Sequence, residues 1–149
     1  MIWTPRTTVA SVIERDGLFL MVEEHTRQGP VVINQPAGHL EEYEGLVAAV
    51  IRETREETAW NFVPDRLVGI YRWRVPANGL TYIRYCFSGG CDGHDPDQPL
   101  DDGIIATHWM SLDTLRKALP RLRSPMVIRC IEDSLSGVGA PLSLIVDLD

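Results

Sequence analysis

Glu53, Glu56 and Glu57 stand at i, i+3 and i+4, so an α-helix would present all three on one face about one turn long. Like charges so placed repel, at roughly a few tenths of a kcal/mol per pair. Two readings fit the cluster: a solvated acidic face, or a face turned toward a cation. Clustered carboxylate oxygens suit a hard divalent ion, Mg²⁺ or Mn²⁺. The neighbouring residues favour the second reading. Arg52 adjoins the triad as an internal counter-charge, and Glu44 lies just before the helix, close to the helix dipole and within reach of an ion.

The elements that must position these acids are legible around them. Leu46, Val47, Val50 and Ile51 form an apolar stripe at helical spacing and anchor the acidic segment in a core. Pro36, Gly38 and Gly45 make the preceding stretch, residues 34–39, a structured loop. Upstream, residues 7–14 and 18–24 read as strands of a hairpin about Arg15-Asp16-Gly17, and residues 31–33 as a short apolar run. Downstream, residues 64–66 read as a turn, and residues 67–75 and 80–87 as paired strands. Alternation there sets Tyr71, Trp73 and Val75 against Arg72 and Arg74, an apolar-aromatic face and a basic one. Such a wall can stack a planar group on Trp73 and offer a phosphate the guanidinium of Arg84. Residues 88–102 read as a surface loop whose Asp101 and Asp102 precede a strand at 104–110. Two helices follow: one capped by Ser111 and stopped near Pro120, the other starting at Ser124-Pro125. An apolar tail, residues 142–148, ends the chain and fits either a core strand or a pairing surface.

Composition excludes several classes of function. The chain has 149 residues, 44% hydrophobic and 23% charged, values ordinary for one globular domain. Its net charge of −7 argues against a nucleic-acid or anionic-membrane partner. An acidic protein that handles phosphate needs cations to do so. Cys86, Cys91 and Cys130 show no paired spacing, so a disulfide framework or zinc site is not expected. Trp3, Pro5 and Arg6 interrupt the start, no secretory signal is expected, and no apolar run reaches the length of a membrane span. A cytoplasmic location is the expectation; oligomeric state is left open.

Gly38, Glu44 and the run Arg52-Glu53-Thr54-Arg55-Glu56-Glu57 together resemble the Nudix box, signature of Mg²⁺-dependent hydrolases of nucleoside diphosphates linked to another group. Three positions depart from it: Thr54 where an aliphatic is usual, Ala59 in place of the glycine that ends the helix, and Trp60 where a smaller aliphatic is common. Loss of that glycine removes the easy left-handed residue, so the helix end is expected to shift. The resemblance implies a single Nudix domain over 1–149, an α/β/α sandwich around a mixed β-sheet. It implies that Glu53, Glu56, Glu57 and the Ala37 carbonyl hold Mg²⁺ (or Mn²⁺), with Arg52 orienting the glutamates. It also implies a further carboxylate from a loop, here Asp101 or Asp102, with Glu44 a third possibility. The general base stays open among Glu53, Glu56 and a loop aspartate.

Residues 34–40, Trp73 with Pro76, Arg84 and residues 122–125 are also similar to bacterial phosphatases of that family acting on thiamine-pathway pyrophosphates and nucleoside di- and triphosphates. That likeness implies substrate contacts at Gln35, Arg84, Trp73 and Arg123, with Arg123 and Ser124 at a helix N-terminus. The implied activity is hydrolysis of a small-molecule phosphoanhydride. Alternatives are a pyrophosphatase of ADP-ribose or another nucleoside diphosphate derivative, and an inactive nucleotide-binding module of the same fold.

Overall fold

The computed structural model describes all residues 1–149. Eight strands are present: β1 (Arg6–Arg15), β2 (Leu18–Glu24), β3 (Val32–Asn34), β4 (Ala37–His39), β5 (Asn61–Arg74), β6 (Thr81–Asp92), β7 (Ile104–Ser111) and β8 (Ala140–Pro141). Three α-helices join them: α1 (Leu46–Thr58), α2 (Leu112–Lys117) and α3 (Met126–Leu135). The sheet runs β3-β2-β1-β6-β5-β8, with β4 added to β1 and β7 to β2. β1 and β6 are parallel and the other pairs antiparallel, so the sheet is mixed.

Burial on both faces follows from the strand sequences. Thr8 to Ile13 of β1 are all buried, as a central strand covered on each side requires. Its odd positions Val9 and Ile13 pack with Leu20, Phe87, Ala49 and Val50 under α1. Its even position Val12 packs with Met21, Cys86, Leu115, Val127 and Ile131 under α2 and α3. These are the three layers of an α/β/α sandwich, as expected.

Four local expectations need correction or refinement. Residues 64–66 are not a turn but part of β5, whose register slips between Pro64 and Arg66 and again between Leu67 and Gly69. A bulge accommodates a proline that cannot donate to the ladder. Strand β6 runs five residues past Phe87, to Asp92, so the loop before β7 begins at Gly93. Residues 37–39, expected as loop, form β4 along β1. The helix end does not shift: Ala59 itself takes the left-handed conformation, φ 61°, and its N–H returns to the Arg55 carbonyl. The 16–17 turn has positive φ at Asp16 and Gly17, as a tight hairpin needs. In the tail, Leu142 and Ile145 pack on the α1 core while Leu144, Val146 and Leu148 stay exposed. No helix is long and apolar enough to cross a membrane.

Candidate active site

Helix α1 is oriented by its inner face. Ala49 and Val50 enter the core, and the Thr54 hydroxyl meets the Ser11 hydroxyl of β1 at 3.0 Å. Thr54 stands in an aliphatic position of the box because its neighbour on β1 is polar. This seating turns Glu53 and Glu57 inward, 9% and 6% exposed. Glu56 points to the rim.

Residues 93–103 then dock on the open C-terminal end of α1, whose last carbonyls lack helical partners. Asp95 N–H donates to Ala59 O at 3.1 Å and Asp101 N–H to Glu56 O at 2.8 Å. The Gln98 amide donates to Arg55 O at 2.7 Å and accepts from Arg55 Nε at 2.7 Å. The docking delivers Asp101: carboxylate oxygens of Glu53, Glu56 and Asp101 all lie within 4.8 Å of one another. Asp102 is exposed and does not line the cleft.

Arg52 ties the acids together. It grips Glu44 with two bonds, 2.7 and 3.0 Å, and reaches Glu53 at 3.0 Å and Glu56 at 3.2 Å. It also donates to the His39 carbonyl at 3.1 Å, fixing α1 against β4. Glu44 is thus spent on Arg52 and stands outside the acidic cluster, and that contact holds its carboxyl below the ordinary value. Glu57 lies deeper, where its Oε1 accepts the Ala37 N–H at 2.8 Å. Ala37 faces Ala10 beside the Ser11–Pro36 bond, in a non-hydrogen-bonded pair. Its N–H and carbonyl therefore both point away from β1, toward the acids.

Burial pushes the Glu57 carboxyl up to about 9, against the Ala37 bond, with Glu24, Glu53 and Asp101 adding repulsion. Burial likewise pushes Glu53 up to about 7, opposed by Arg52. Carboxyls with raised values bind protons in the folded state that the unfolded chain has already released, so their contribution to stability falls as pH rises. The metal-free protein should therefore lose melting temperature between pH 4.5, the ordinary carboxyl value, and about 9. A divalent cation, which needs these groups ionised, should flatten that slope. Melting scans with and without chelator measure both. A metal-free slope of opposite sign would contradict the assignment of these carboxyls.

Across from the acids the cleft, about 560 Å³, is walled by Arg84, Arg123, Trp73, Tyr82 and His39. Arg84 is buried, with Gln35 Oε1 at 2.9 Å from its Nη1. Gln35 is 1% exposed and absent from the cleft wall; it touches Arg84 rather than the space a substrate would occupy. Arg123 pairs with Glu24 at 3.0 Å, and its N–H donates to Ile33 O at 2.9 Å. Ser124 Oγ accepts the Met126 N–H at 3.2 Å, but α3 begins one residue later than expected, with Pro125 rather than Ser124 in the cap position.

Glu24 was not among the residues expected in the site, yet it lines the cleft and binds both Asn34 and Arg123. A signal was available. Period-two alternation puts it on the same face as Leu20, the face that α1 covers, where an acid needs a reason.

A family model of the NUDIX domain matches residues 4–129. The chain belongs to the Nudix family. Among curated Nudix proteins it is similar to the phosphatase NudJ of Shigella boydii serotype 4 (strain Sb227), 39% identical over 145 residues, 97% of this chain and 93% of that one. The same phosphatase of Escherichia coli (strain K12) is 38% identical over the same coverage. A solved NUDIX hydrolase from Nitrosomonas europaea is 44% identical, with a TM-score of 0.95 over 97% of this chain and 98% of that one. The protein is therefore a hydrolase of phosphoanhydrides, and its donor set of carboxylate oxygens can hold a divalent metal.

The Nudix-box glycine has a steric reason here. A Cβ built on Gly38 would fall on the Glu53 carboxylate. Gly38→Ala should keep the fold, because Glu53 can swing aside, but lower kcat by about a hundredfold through misplacement of that acid. Turnover set beside melting temperature checks this; unchanged turnover would contradict it.

Proposed function

We propose that this Nudix hydrolase cleaves a phosphoanhydride of a nucleoside di- or triphosphate, or of a thiamine-pathway pyrophosphate, with Mg²⁺ as cofactor. The observation that carries the reading is the opposition of two poles across one cleft: three clustered carboxylates on the α1 side, and a buried arginine on the sheet side. Glu53, Glu56, Glu57 and the Ala37 carbonyl, with Asp101 beside them, would hold the Mg²⁺ (or Mn²⁺), which when bound neutralises phosphate charge and makes a water more acidic.

The chain's own residues do the rest. Arg52 fixes the angles of Glu53 and Glu56 by charge-assisted bonds. The Ala37 N–H fixes Glu57. Arg84 receives a phosphate oxygen, and Arg123 receives a second by exchanging its bond to Glu24. Trp73 and Tyr82 give the organic portion of the substrate a flat wall. The proton of the attacking water passes to a carboxylate of the acidic cluster, Glu53, Glu56 or Asp101. A module that only bound nucleotide would gain nothing from keeping repelling, buried carboxylates.

The test is a substrate panel with Mg²⁺: nucleoside di- and triphosphates, thiamine pyrophosphate, its pyrimidine precursor and ADP-ribose. The expected result is orthophosphate release from the first three classes. Preferential cleavage of ADP-ribose to two monophosphates would overturn this choice in favour of the ADP-ribose alternative. Metal-dependent binding of nucleotide without cleavage would favour the inactive module.

A further inference from the structure

Two arginines line the cleft, and they are held in opposite ways. Arg123 has a carboxylate, Glu24, at 3.0 Å. Arg84, only 4% exposed, belongs to none of the chain's ion pairs. Its guanidinium meets two amide oxygens, Gln35 Oε1 at 2.9 Å and Asn34 Oδ1 at 3.4 Å, and its buried Nε has no hydrogen-bond partner. The buried thiols of Cys86 and Cys130 lie near enough to feel its charge. A cation in such surroundings keeps its whole charge and is costly to bury.

The amides are oriented by what stands behind them. The Gln35 amide N–H group donates to the Ser11 carbonyl at 3.3 Å, so its oxygen must face Arg84. The Asn34 amide N–H group donates to Glu24 Oε1 at 3.2 Å, while its oxygen takes the Gln35 N–H at 2.9 Å and faces Arg84. Asn34 thus stands between Glu24 and the arginine. Glu24, Glu41, Glu53, Glu57 and Asp101 all line this cleft, yet none of them pairs with Arg84. An arginine kept for structure would have been given one of those carboxylates.

We propose that Asn34 and Gln35 are positioning residues that insulate Arg84 from the cleft's acids, holding it as a cation without a carboxylate partner whose charge draws a phosphate of the substrate to its side of the cleft. This rests on the phosphoanhydride reading given above. It adds that the charge of Arg84, not only its hydrogen bonds, sets phosphate affinity, and that this charge weakens the ligand-free fold.

Two variants of the full chain test it in Mg²⁺. Gln35→Glu leaves an acceptor in place but brings a carboxylate against the guanidinium. KM for the cleaved substrate should rise at least about tenfold, with kcat falling by less. Arg84→Met should melt at or above wild type without ligand, because an unpaired buried charge is removed. It should also lose the rise in melting temperature that inorganic pyrophosphate gives wild type. The pyrophosphate shift requires no turnover. If it is present and depends on Arg84 while no substrate is cleaved, the hydrolase reading fails and this inference stands. Unchanged KM in Gln35→Glu overturns the inference. So does a wild type whose melting ignores pyrophosphate, or an Arg84→Met protein that melts well below wild type yet still responds to it.

Discussion

In Glu57→Gln, turnover with Mg²⁺ should fall by roughly a thousandfold, the scale of losing several kcal/mol of charge stabilisation. The same variant should melt no lower than wild type in the absence of metal at pH 8. The two expectations come from one piece of geometry. Glu57 is 6% exposed and accepts the Ala37 N–H through Oε1. Burial drives its carboxyl up to about 9, so in the metal-free protein at pH 8 it is protonated and close in shape and charge to glutamine. The amide oxygen can keep the Ala37 bond, and the fold has no buried charge to lose. What glutamine cannot do is ionise, and a buried anion is what a cation requires at that position. Steady-state turnover and a melting scan on the same preparation check both. Near-wild-type turnover would remove Glu57 from the mechanism. A large fall in melting temperature would make its role structural.

Arg52→Ala should behave in the opposite sense, losing stability first. Arg52 carries bonds to Glu44, Glu53 and Glu56 and stands 3.5 Å from Glu41, with its side chain 22% exposed. Removing it leaves acids facing each other half out of water, at a cost of about 2–3 kcal/mol. It also frees Glu53 and Glu56 to rotate, so kcat should fall by about 10- to 100-fold. The distinguishing feature is rescue. A divalent ion supplies the positive charge that Arg52 no longer does, so metal should raise the melting temperature of Arg52→Ala by more than it raises that of wild type. Equal metal shifts in the two proteins would mean that the guanidinium and the cation do not share these carboxylates.

What could be read from the chain alone follows the range of the forces involved. The glutamates of α1 are legible because helical spacing is local, and the sandwich because strand pairs, a central amphipathic helix and two further helices match the fold that the Nudix resemblance implies. Asp101 could be nominated only alongside Asp102. The choice between them is made by a backbone bond from Asp101 to the end of α1, across more than forty residues, and no local pattern encodes it. Gln35 and Arg84 were named together as substrate contacts, but one sits behind the other, a depth that sequence order does not carry. Pro64 with Asp65 has turn composition, yet the long pairing with β6 overrides it and leaves a bulge. Ala59 shows the same override on a smaller scale. The loop bonded to the end of α1 imposes a left-handed residue where glycine would have been easier.

The most direct test of the central claim is orthophosphate release by chelator-treated enzyme before and after Mg²⁺ is returned, with the nucleotide and thiamine-pathway pyrophosphates as substrates. No release is expected before and full release after, with Glu57→Gln roughly a thousandfold slower than wild type once Mg²⁺ is returned. Release that survives chelation, or none from any of these substrates once Mg²⁺ is present, would contradict it.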